Sequence, residues 1–165
     1  MKMLGEQPNA LFLGQAVRYP GTAMFTTLKD VPMEKRIELP VMEESQMGMS
    51  IGLALAGYLP ITLYPRWNFL LLAGNQLVNH LDKLPLMSAY RPKVIIRTAV
   101  ATDKPLDPGP QHLGDFTAAF RLMLKTVEVV ELNRAKDIAE QYHWAMTRDD
   151  GVSSLIVEKM GLYDA

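Results

Sequence analysis

Short apolar segments alternate along the chain with longer stretches in which apolar and small residues recur at helical spacing. Glycine, proline or aspartate residues bound most of the apolar segments, as is typical of strands that end in turns. Extended backbone is therefore predicted over Ala10–Leu13, Ile37–Met42, Pro60–Tyr64, Lys93–Thr98, Thr126–Val130 and Ser153–Val157.

The stretches with helical spacing lie between these segments, and Gly57 follows the first of them at the position expected for a helix stop. Strands that alternate with helices are typical of an α/β domain with a mostly parallel sheet. The segments Val17–Pro32 and Ala99–Gln111 contain turn residues and are predicted to be loops. Helices are predicted over Glu44–Ala56, Trp67–Lys83, Leu113–Lys125 and Arg134–Arg148.

Three segments whose side chains could bind a ligand or take part in catalysis follow predicted strands. These are Glu43, the segment Tyr64–Phe69 and the loop Ala99–His112. Ligands of open α/β sheets usually bind beyond the carboxyl ends of the strands. The pattern therefore predicts one ligand site that draws on all three segments.

Composition narrows the class of protein. A chain of 165 residues with 48% hydrophobic and 21% charged residues is typical of one globular domain with a real core. The net charge of -1 gives no electrostatic reason to expect a nucleic acid or a membrane as partner. The chain has no cysteine, which excludes disulfides and thiol chemistry. Because no signal peptide or membrane span is visible, we expect a cytoplasmic protein.

Glu43 stands at a predicted helix start, next to Glu44. An acid at this position can simply stabilise the helix dipole. However, Glu43 is flanked by Met42 and Met47, and an apolar setting disfavours the charged form of a carboxyl group. A carboxyl group in such a setting can hold or donate a proton near neutrality. Both interpretations of Glu43 are open on the residues alone.

A series of short motifs resembles the pyrimidine-binding domain of thiamine-diphosphate enzymes, in the branch of transketolase and the β subunits of 2-oxoacid dehydrogenases. Pro40–Glu43 matches a Pro-x-x-Glu motif, Ala56–Ile61 an Ala-Gly-x-x-Pro-Ile turn and Trp67–Phe69 an aromatic-x-Phe motif. The resemblance runs from about Leu11 to Tyr163 and implies a three-layer α/β/α fold with a mostly parallel sheet. Further matches are Gly48 and Gly52, Gln76–Asn79, Gln111–His112 and Ile156–Glu158.

The resemblance also implies roles for individual residues. Glu43 takes the position of the carboxyl group that hydrogen-bonds the cofactor's aminopyrimidine and activates it. Phe69 matches the aromatic residue that packs on the pyrimidine, with Pro65 beside it, and Gln15 stands where the β subunits usually carry an acid. His112 matches a histidine that faces the reacting carbon, where it can move protons or bind an anionic group. Core packing for Phe69 and an ordinary loop position for His112 are the alternatives.

Arg66 departs from the family pattern, which more often has a small or uncharged residue there. An arginine beside the cofactor-binding aromatic residue can bind a substrate carboxylate or phosphate in a bidentate manner. It can equally be a solvated arginine at a helix start or an interface residue.

The diphosphate half of the cofactor site has no match in the chain. The family binds diphosphate and Mg²⁺ through a Gly-Asp-Gly run, and neither Gly114–Phe116 nor Asp149–Gly151 fits it. No protein ligands for a metal are therefore predicted here. We expect residues 1–165 to form a single pyrimidine-binding domain, without the C-terminal transketolase-type domain. A separate, α-like subunit is expected to hold the diphosphate and Mg²⁺, within a heterotetramer in which this chain also self-associates.

The expected function is that of one subunit of a split thiamine-diphosphate enzyme. Such an enzyme cleaves or forms C–C bonds of a small 2-oxo acid or ketose, as a decarboxylase, a carboligase or a transketolase-like enzyme, and is active only with its partner. The alternatives are a non-catalytic structural or regulatory subunit, a β-like subunit of a 2-oxoacid dehydrogenase, and an unrelated α/β ligand-binding module.

Overall fold

A parallel sheet forms the centre of the molecule. The computed structural model describes residues 1–102 and 107–163. The six strands follow the order β2-β1-β3-β4-β6-β5, and all the neighbouring pairs are parallel. This confirms the predicted parallel α/β architecture. The strands are β1 Ala10–Gly14, β2 Arg36–Glu38, β3 Leu59–Tyr64, β4 Ile95–Val100, β5 Glu128–Leu132 and β6 Ser154–Lys159.

Helices connect the strands, as parallel strands require. Short 3₁₀ helices cover Met33–Lys35, Leu71–Ala73, Pro110–His112 and Met160–Leu162, and Gln76–Leu81 forms a π helix. The α-helices are α1 Lys2–Gly5, α2 Ala23–Thr26, α3 Glu43–Leu55, α4 Trp67–Leu70, α5 Leu84–Met87, α6 Thr117–Met123 and α7 Ala135–Thr147. None of the helices in the described ranges is long and apolar enough to cross a membrane.

The core consists of two hydrophobic clusters, one on each face of the sheet. Side chains alternate between the faces along each strand, so that Ile95 joins one cluster and Ile96 the other. Helices α1, α2 and α7 cover the first face, and α3, α4 and α6 cover the second. The three-layer arrangement is therefore the one that the resemblance implied.

Several helix bounds differ from the sequence prediction. Helix α6 begins at Thr117 instead of Leu113, because the Asp115 carboxylate accepts hydrogen bonds from the amide and the hydroxyl of Thr117 at 3.0 and 2.6 Å. The predicted helix over 67–83 is divided into α, 3₁₀ and π segments. Helix α2 lies within the predicted loop 17–32. Of the predicted loop 99–111, the first two residues belong to β4, and residues 103–106 lie outside the described residues.

Candidate functional site

A cavity of about 570 Å³ lies at the carboxyl edge of the sheet, where the segments after several strands meet. Gln15 follows β1, Glu38 ends β2, Pro65 and Arg66 follow β3, and Met160 follows β6. The cavity therefore occupies the place where α/β sheets usually bind their ligands. Its other lining residues are Ala16, Tyr19, Pro20, Gly21, Thr22, Ala23, Leu39 and Phe69.

The segment that follows β1 forms one wall of the cavity, and the Glu38 carboxylate holds this segment in place. It accepts hydrogen bonds from the backbone amides of Ala16, Val17 and Arg18 at 2.7, 2.9 and 2.7 Å. Ala16 has a positive φ of 52°, a conformation that costs a non-glycine residue free energy and that these bonds help to hold. Sequence reasoning missed Glu38, because its partners lie about twenty residues away along the chain.

The start of α3 places Glu43 close to the ends of β1 and β3. The Gln46 side-chain amide, one turn into the helix, donates to Thr62 Oγ1 at 2.8 Å and to the Leu63 carbonyl at 2.9 Å. A weaker bond of 3.4 Å joins it to the carbonyl of Leu13. Gly14 lies against the same strand end, where an added Cβ would stand 2.4 Å from the Leu63 carbonyl oxygen. The helix terminus is therefore bound tightly to the central strands.

Glu43 is the first residue of α3 and is only 6% exposed. Within the described ranges its carboxyl group has no hydrogen bond or ion pair. The Tyr64 hydroxyl donates to the backbone carbonyl of Glu43 at 3.2 Å instead. Burial raises the pKa of Tyr64, and the nearby charge of Glu43 raises it further, so that the hydroxyl stays protonated as a donor. The carboxyl oxygens are not among the side-chain atoms closed off from solvent, so Glu43 is buried as a residue while its unpaired carboxyl group stays accessible to a ligand.

Phe69 and His112 lie against each other, with ring centroids 5.6 Å apart and an angle of 59° between the rings. Phe69 also lines the cavity, whereas His112 belongs to the 3₁₀ helix at residues 110–112. The His112 Nδ1 atom is buried and has no hydrogen-bond partner among the residues described.

The structure thus brings together most of the residues that the sequence singled out. Gln15, Pro65, Arg66 and Phe69 line one cavity, and His112 packs on Phe69. Glu43 does not line this cavity, although it starts the helix whose terminus is bound to the same strand ends.

Other polar groups at this edge of the sheet also have no protein partner. The Thr22 hydroxyl oxygen and the Asn68 side-chain carbonyl oxygen are buried without a hydrogen bond to any described residue. Thr22 lines the cavity, and Asn68 immediately precedes Phe69. Native proteins leave few buried polar atoms unpaired. Their presence beside the cavity fits a site that binds a polar ligand.

In each of the two imperfect Gly-Asp motifs, the aspartate next to the glycine is occupied within the fold. Asp115 binds Thr117 and the Lys159 ammonium group, the latter at 2.9 Å, and Asp150 binds Arg148 at 2.8 Å. Burial alone would raise the pKa of Asp115, but its hydrogen bonds hold it below the usual value. No group of three or more potential metal ligands occurs in the described ranges.

A second polar cluster, which the sequence did not predict, lies between the sheet and helix α7. Arg97 on β4 pairs with Glu158 on β6 through two bonds of 2.8 and 3.0 Å, and the Tyr142 hydroxyl donates to Glu158 at 2.6 Å. Burial alone would raise the pKa of Glu158, but the Arg97 charge and these hydrogen bonds hold it below its usual value. A charged residue within each of two apolar strands was the available sequence signal. The cluster joins β4, β6 and α7.

Comparison with known proteins finds sequence similarity to a curated protein. It is 32% identical over 100 residues to the β subunit of the pyruvate dehydrogenase E1 component of Cyanidium caldarium. That match covers 57% of this chain and 30% of the relative, so the chain spans less than a third of the relative's length. No protein-family model matches the chain.

Solved structures share the fold. A split-gene transketolase, described as an inactive β4 tetramer, superposes with a TM-score of 0.71 at 18% identity, over 96% of this chain and 48% of that one. A thiamin diphosphate-dependent enzyme from Mycobacterium smegmatis gives a TM-score of 0.67 at 16% identity, over 98% and 29% of the two chains. Transketolase from Campylobacter jejuni gives 0.67 at 14% identity, over 95% and 24%.

The chain therefore has the α/β fold of transketolase-like domains. The sequence similarity to a pyruvate dehydrogenase β subunit, together with this fold, confirms the predicted resemblance to the family of transketolase and 2-oxoacid dehydrogenase β subunits.

Proposed function

We propose that this chain supplies the pyrimidine-binding half of a thiamine-diphosphate enzyme that cleaves or forms C–C bonds of a 2-oxo acid or ketose. The observation that carries the proposal is Glu43, a buried residue whose accessible carboxyl group has no protein partner, at the start of the helix bound to the central strand ends. Family likeness alone does not select a residue, whereas the unpaired carboxyl group does.

The residues at the carboxyl edge of the sheet fit an aromatic, polar cofactor. The volume of about 570 Å³ falls in the range of small-molecule sites. Phe69 and Pro65 supply an apolar wall, and unpaired polar atoms of Thr22, Asn68 and His112 lie beside it. Bound thiamine diphosphate would supply the carbanion stabilisation that C–C cleavage needs.

Each side chain then has a limited task. With the cofactor bound, Glu43 would hold a proton at a ring nitrogen of the aminopyrimidine, and its accessible, unpaired carboxyl group is available for that exchange. Phe69 packs against the ring, a contact that adds about 0.5–1.5 kcal/mol beyond the buried area. Gln15 and Pro65 border the ring, and His112, held against Phe69, moves a proton or binds an anionic group of the substrate.

The diphosphate and Mg²⁺ are assigned to an α-like partner subunit with the Gly-Asp-Gly motif. The partner is needed because the two candidate aspartates of this chain, Asp115 and Asp150, are already bound to Lys159 and Arg148. The split-gene transketolase is described as an inactive β4 tetramer, which supports self-association of this chain, and the heterotetramer with the α-like subunit is part of the proposal. In this proposal the cofactor site forms at the interface between this chain and the α-like subunit.

Calorimetric titration tests this assignment. Thiamine diphosphate with Mg²⁺ is titrated into this chain alone and into its mixture with a Gly-Asp-Gly subunit encoded by a neighbouring gene. We expect tight binding only in the mixture.

Glu43→Gln should lower the turnover of the mixture about 100-fold or more, because proton transfer by a positioned side chain contributes that much. Glu44→Gln is the matched control, since Glu44 is adjacent but exposed, and should change turnover less than about twofold.

Full activity of the Glu43→Gln mixture would contradict the proton-exchange role. Cofactor binding without turnover in the unsubstituted mixture would favour the second candidate, a non-catalytic structural or regulatory subunit. The 32% identity to a pyruvate dehydrogenase β subunit favours a third, dehydrogenase-like subunit, which a lipoyl-domain reductive acylation assay would detect.

A further inference from the structure

We propose that Arg66 is the anion-binding residue of the cavity and selects substrates that carry a carboxylate or phosphate group. The inference rests on the proposed function for the identity of the reaction. The binding itself follows from the cavity and requires no cofactor.

Arg66 differs from the other arginines that are shielded from solvent. Arg36 donates to backbone carbonyls, Arg97 pairs with Glu158, and Arg148 pairs with Glu128 and Asp150. Arg66 is half-buried and lines the cavity, yet its guanidinium group makes no hydrogen bond or ion pair with any described residue. Its guanidinium nitrogens are not among the atoms closed off from solvent, so they are accessible to an anion that enters the cavity.

Glu38 is the other charged residue among the described lining residues and could compete with an anion for Arg66. Both carboxylate oxygens of Glu38 are engaged by the amides of Ala16, Val17 and Arg18, which disperse its charge. The unpaired Thr22 hydroxyl lies on the same wall, and Gln15 offers a side-chain amide. Among the described residues that line the cavity, Arg66 is therefore a cation without a partner, Gln15 and Thr22 are neutral donors, and the Glu38 carboxylate is already occupied.

The geometry of a guanidinium group fits planar or tetrahedral oxyanions. Its forked donors bind carboxylate or phosphate with two parallel hydrogen bonds, which a lysine cannot do. A carboxylate would come from a 2-oxo acid and a phosphate from a phosphorylated ketose. An uncharged ketose or aldehyde would leave Arg66 unpaired and would bind less well.

Nuclear magnetic resonance of the ¹⁵N-labelled full chain tests the proposal without cofactor. Pyruvate and inorganic phosphate are titrated separately at constant ionic strength, with chloride as the reference anion. We expect the Arg66 side-chain N–H signal and the Thr22 amide signal to shift and to saturate with at least one of the two probes. Saturation with pyruvate alone assigns a carboxylate substrate, and saturation with phosphate alone assigns a phosphorylated one.

Three variants make the result specific. Arg66→Gln should weaken binding about tenfold or more, as expected for loss of a charge-assisted bond, and Arg66→Lys should weaken it less. Arg18→Gln is the control, because the exposed Arg18 side chain also has no partner among the described residues but does not line the cavity. Thermal unfolding midpoints of all three variants verify that they are folded.

The proposal is overturned if neither probe shows saturable shifts, or if Arg18→Gln weakens binding as much as Arg66→Gln does. It is also overturned if Arg66→Gln leaves anion binding unchanged and instead weakens association with the α-like subunit, which would assign Arg66 to a partner's carboxylate. Because no thiamine diphosphate is present, loss of the Glu43 assignment leaves this test unaffected.

Discussion

At the scale of single residues, Asp82 shows how a buried carboxylate can be held by backbone amides. It is 0% exposed, and its Oδ1 accepts from the amides of Lys125, Thr126 and Val127 at 2.7, 2.7 and 3.1 Å. Lys83 binds the other carboxylate oxygen at 2.7 Å. Asp82 therefore connects the end of the π helix to the chain that enters β5.

Asp82→Asn should lower the free energy of unfolding by roughly 1–3 kcal/mol, because an amide cannot replace a charged acceptor shared by three backbone donors. Chemical denaturation followed by circular dichroism measures the change. Asp149→Asn is the control, since the exposed Asp149 side chain makes no hydrogen bond to a described residue, and should shift stability by less than about 0.5 kcal/mol. An equal effect of the two substitutions would contradict the role of Asp82.

The same carboxylate predicts a pH dependence. Burial alone would raise the pKa of Asp82, but the hydrogen bonds from Lys83 and the backbone amides hold it below its ordinary value. A lowered folded pKa gives a stabilisation that is present above the unfolded pKa of about 3.9 and is lost as the pH falls through the folded pKa. The difference in stability between the wild type and Asp82→Asn should therefore shrink in that acidic range.

Sequence patterns located the site residues that belong to local motifs and missed those defined by distant contacts. Phe69 and Pro65 were found because a strand end and an aromatic helix start are adjacent in sequence. Glu38 and Asp82 were not found, because their partners are amides about twenty and forty-four residues away, and amides carry no signal in the sequence.

At the scale of elements, helix α3 is positioned by one glutamine. Gln46 is 1% exposed and joins α3 to the ends of β1 and β3 through its side-chain amide. The strand ends and the helix could be predicted separately, with bounds within about two residues. The contact between the helix and the strand ends could not be predicted, because the sequence pattern does not show that the Gln46 side chain points towards the strands.

Gln46→Met keeps the side-chain volume but removes the donor for Thr62 Oγ1 and the Leu63 carbonyl. We expect unfolding to become easier by about 1–3 kcal/mol, since buried acceptors lose their partner. Faster hydrogen exchange in the first turn of α3 would show that the segment carrying Glu43 is loosened. Gln141→Met on α7 is the control, and an unchanged exchange rate in Gln46→Met would contradict the positioning role.

The segment 67–83, which is divided into α, 3₁₀ and π helices, ends in a contact with the chain before β5. The Asp82 amide donates to the Leu77 carbonyl at 3.0 Å, which is the spacing of a π turn, and its carboxylate faces the amides before β5. Hydrophobic periodicity predicted a helix here but is insensitive to one wide turn. The contact with β5, which is distant in sequence, coincides with the departure from regular α-helix.

At the scale of the whole molecule, one side of the helical layer carries unusually exposed hydrophobic side chains. Met87 is 70% exposed and Leu55 47%, and both line a groove of about 290 Å³ between α3, the π helix and α5. Gly48 lines the same groove, and a Cβ there would meet Gln76 only at 3.9 Å, so packing within this chain does not require the glycine. Exposed apolar patches of this kind are typical of association surfaces.

If the proposed self-association uses this groove, Met87→Glu should weaken it. A charge placed in an apolar interface loses its hydration without gaining a partner, so we expect the dissociation constant to rise about tenfold or more. Sedimentation equilibrium of the chain at micromolar concentrations measures it. Trp144→Glu is the matched control, because Trp144 is 50% exposed but belongs to α7 on the opposite face of the sheet. A monomeric wild type would contradict self-association of the isolated chain. Equal weakening by both substitutions would mean that general surface hydrophobicity, rather than the groove beside α3, drives the association.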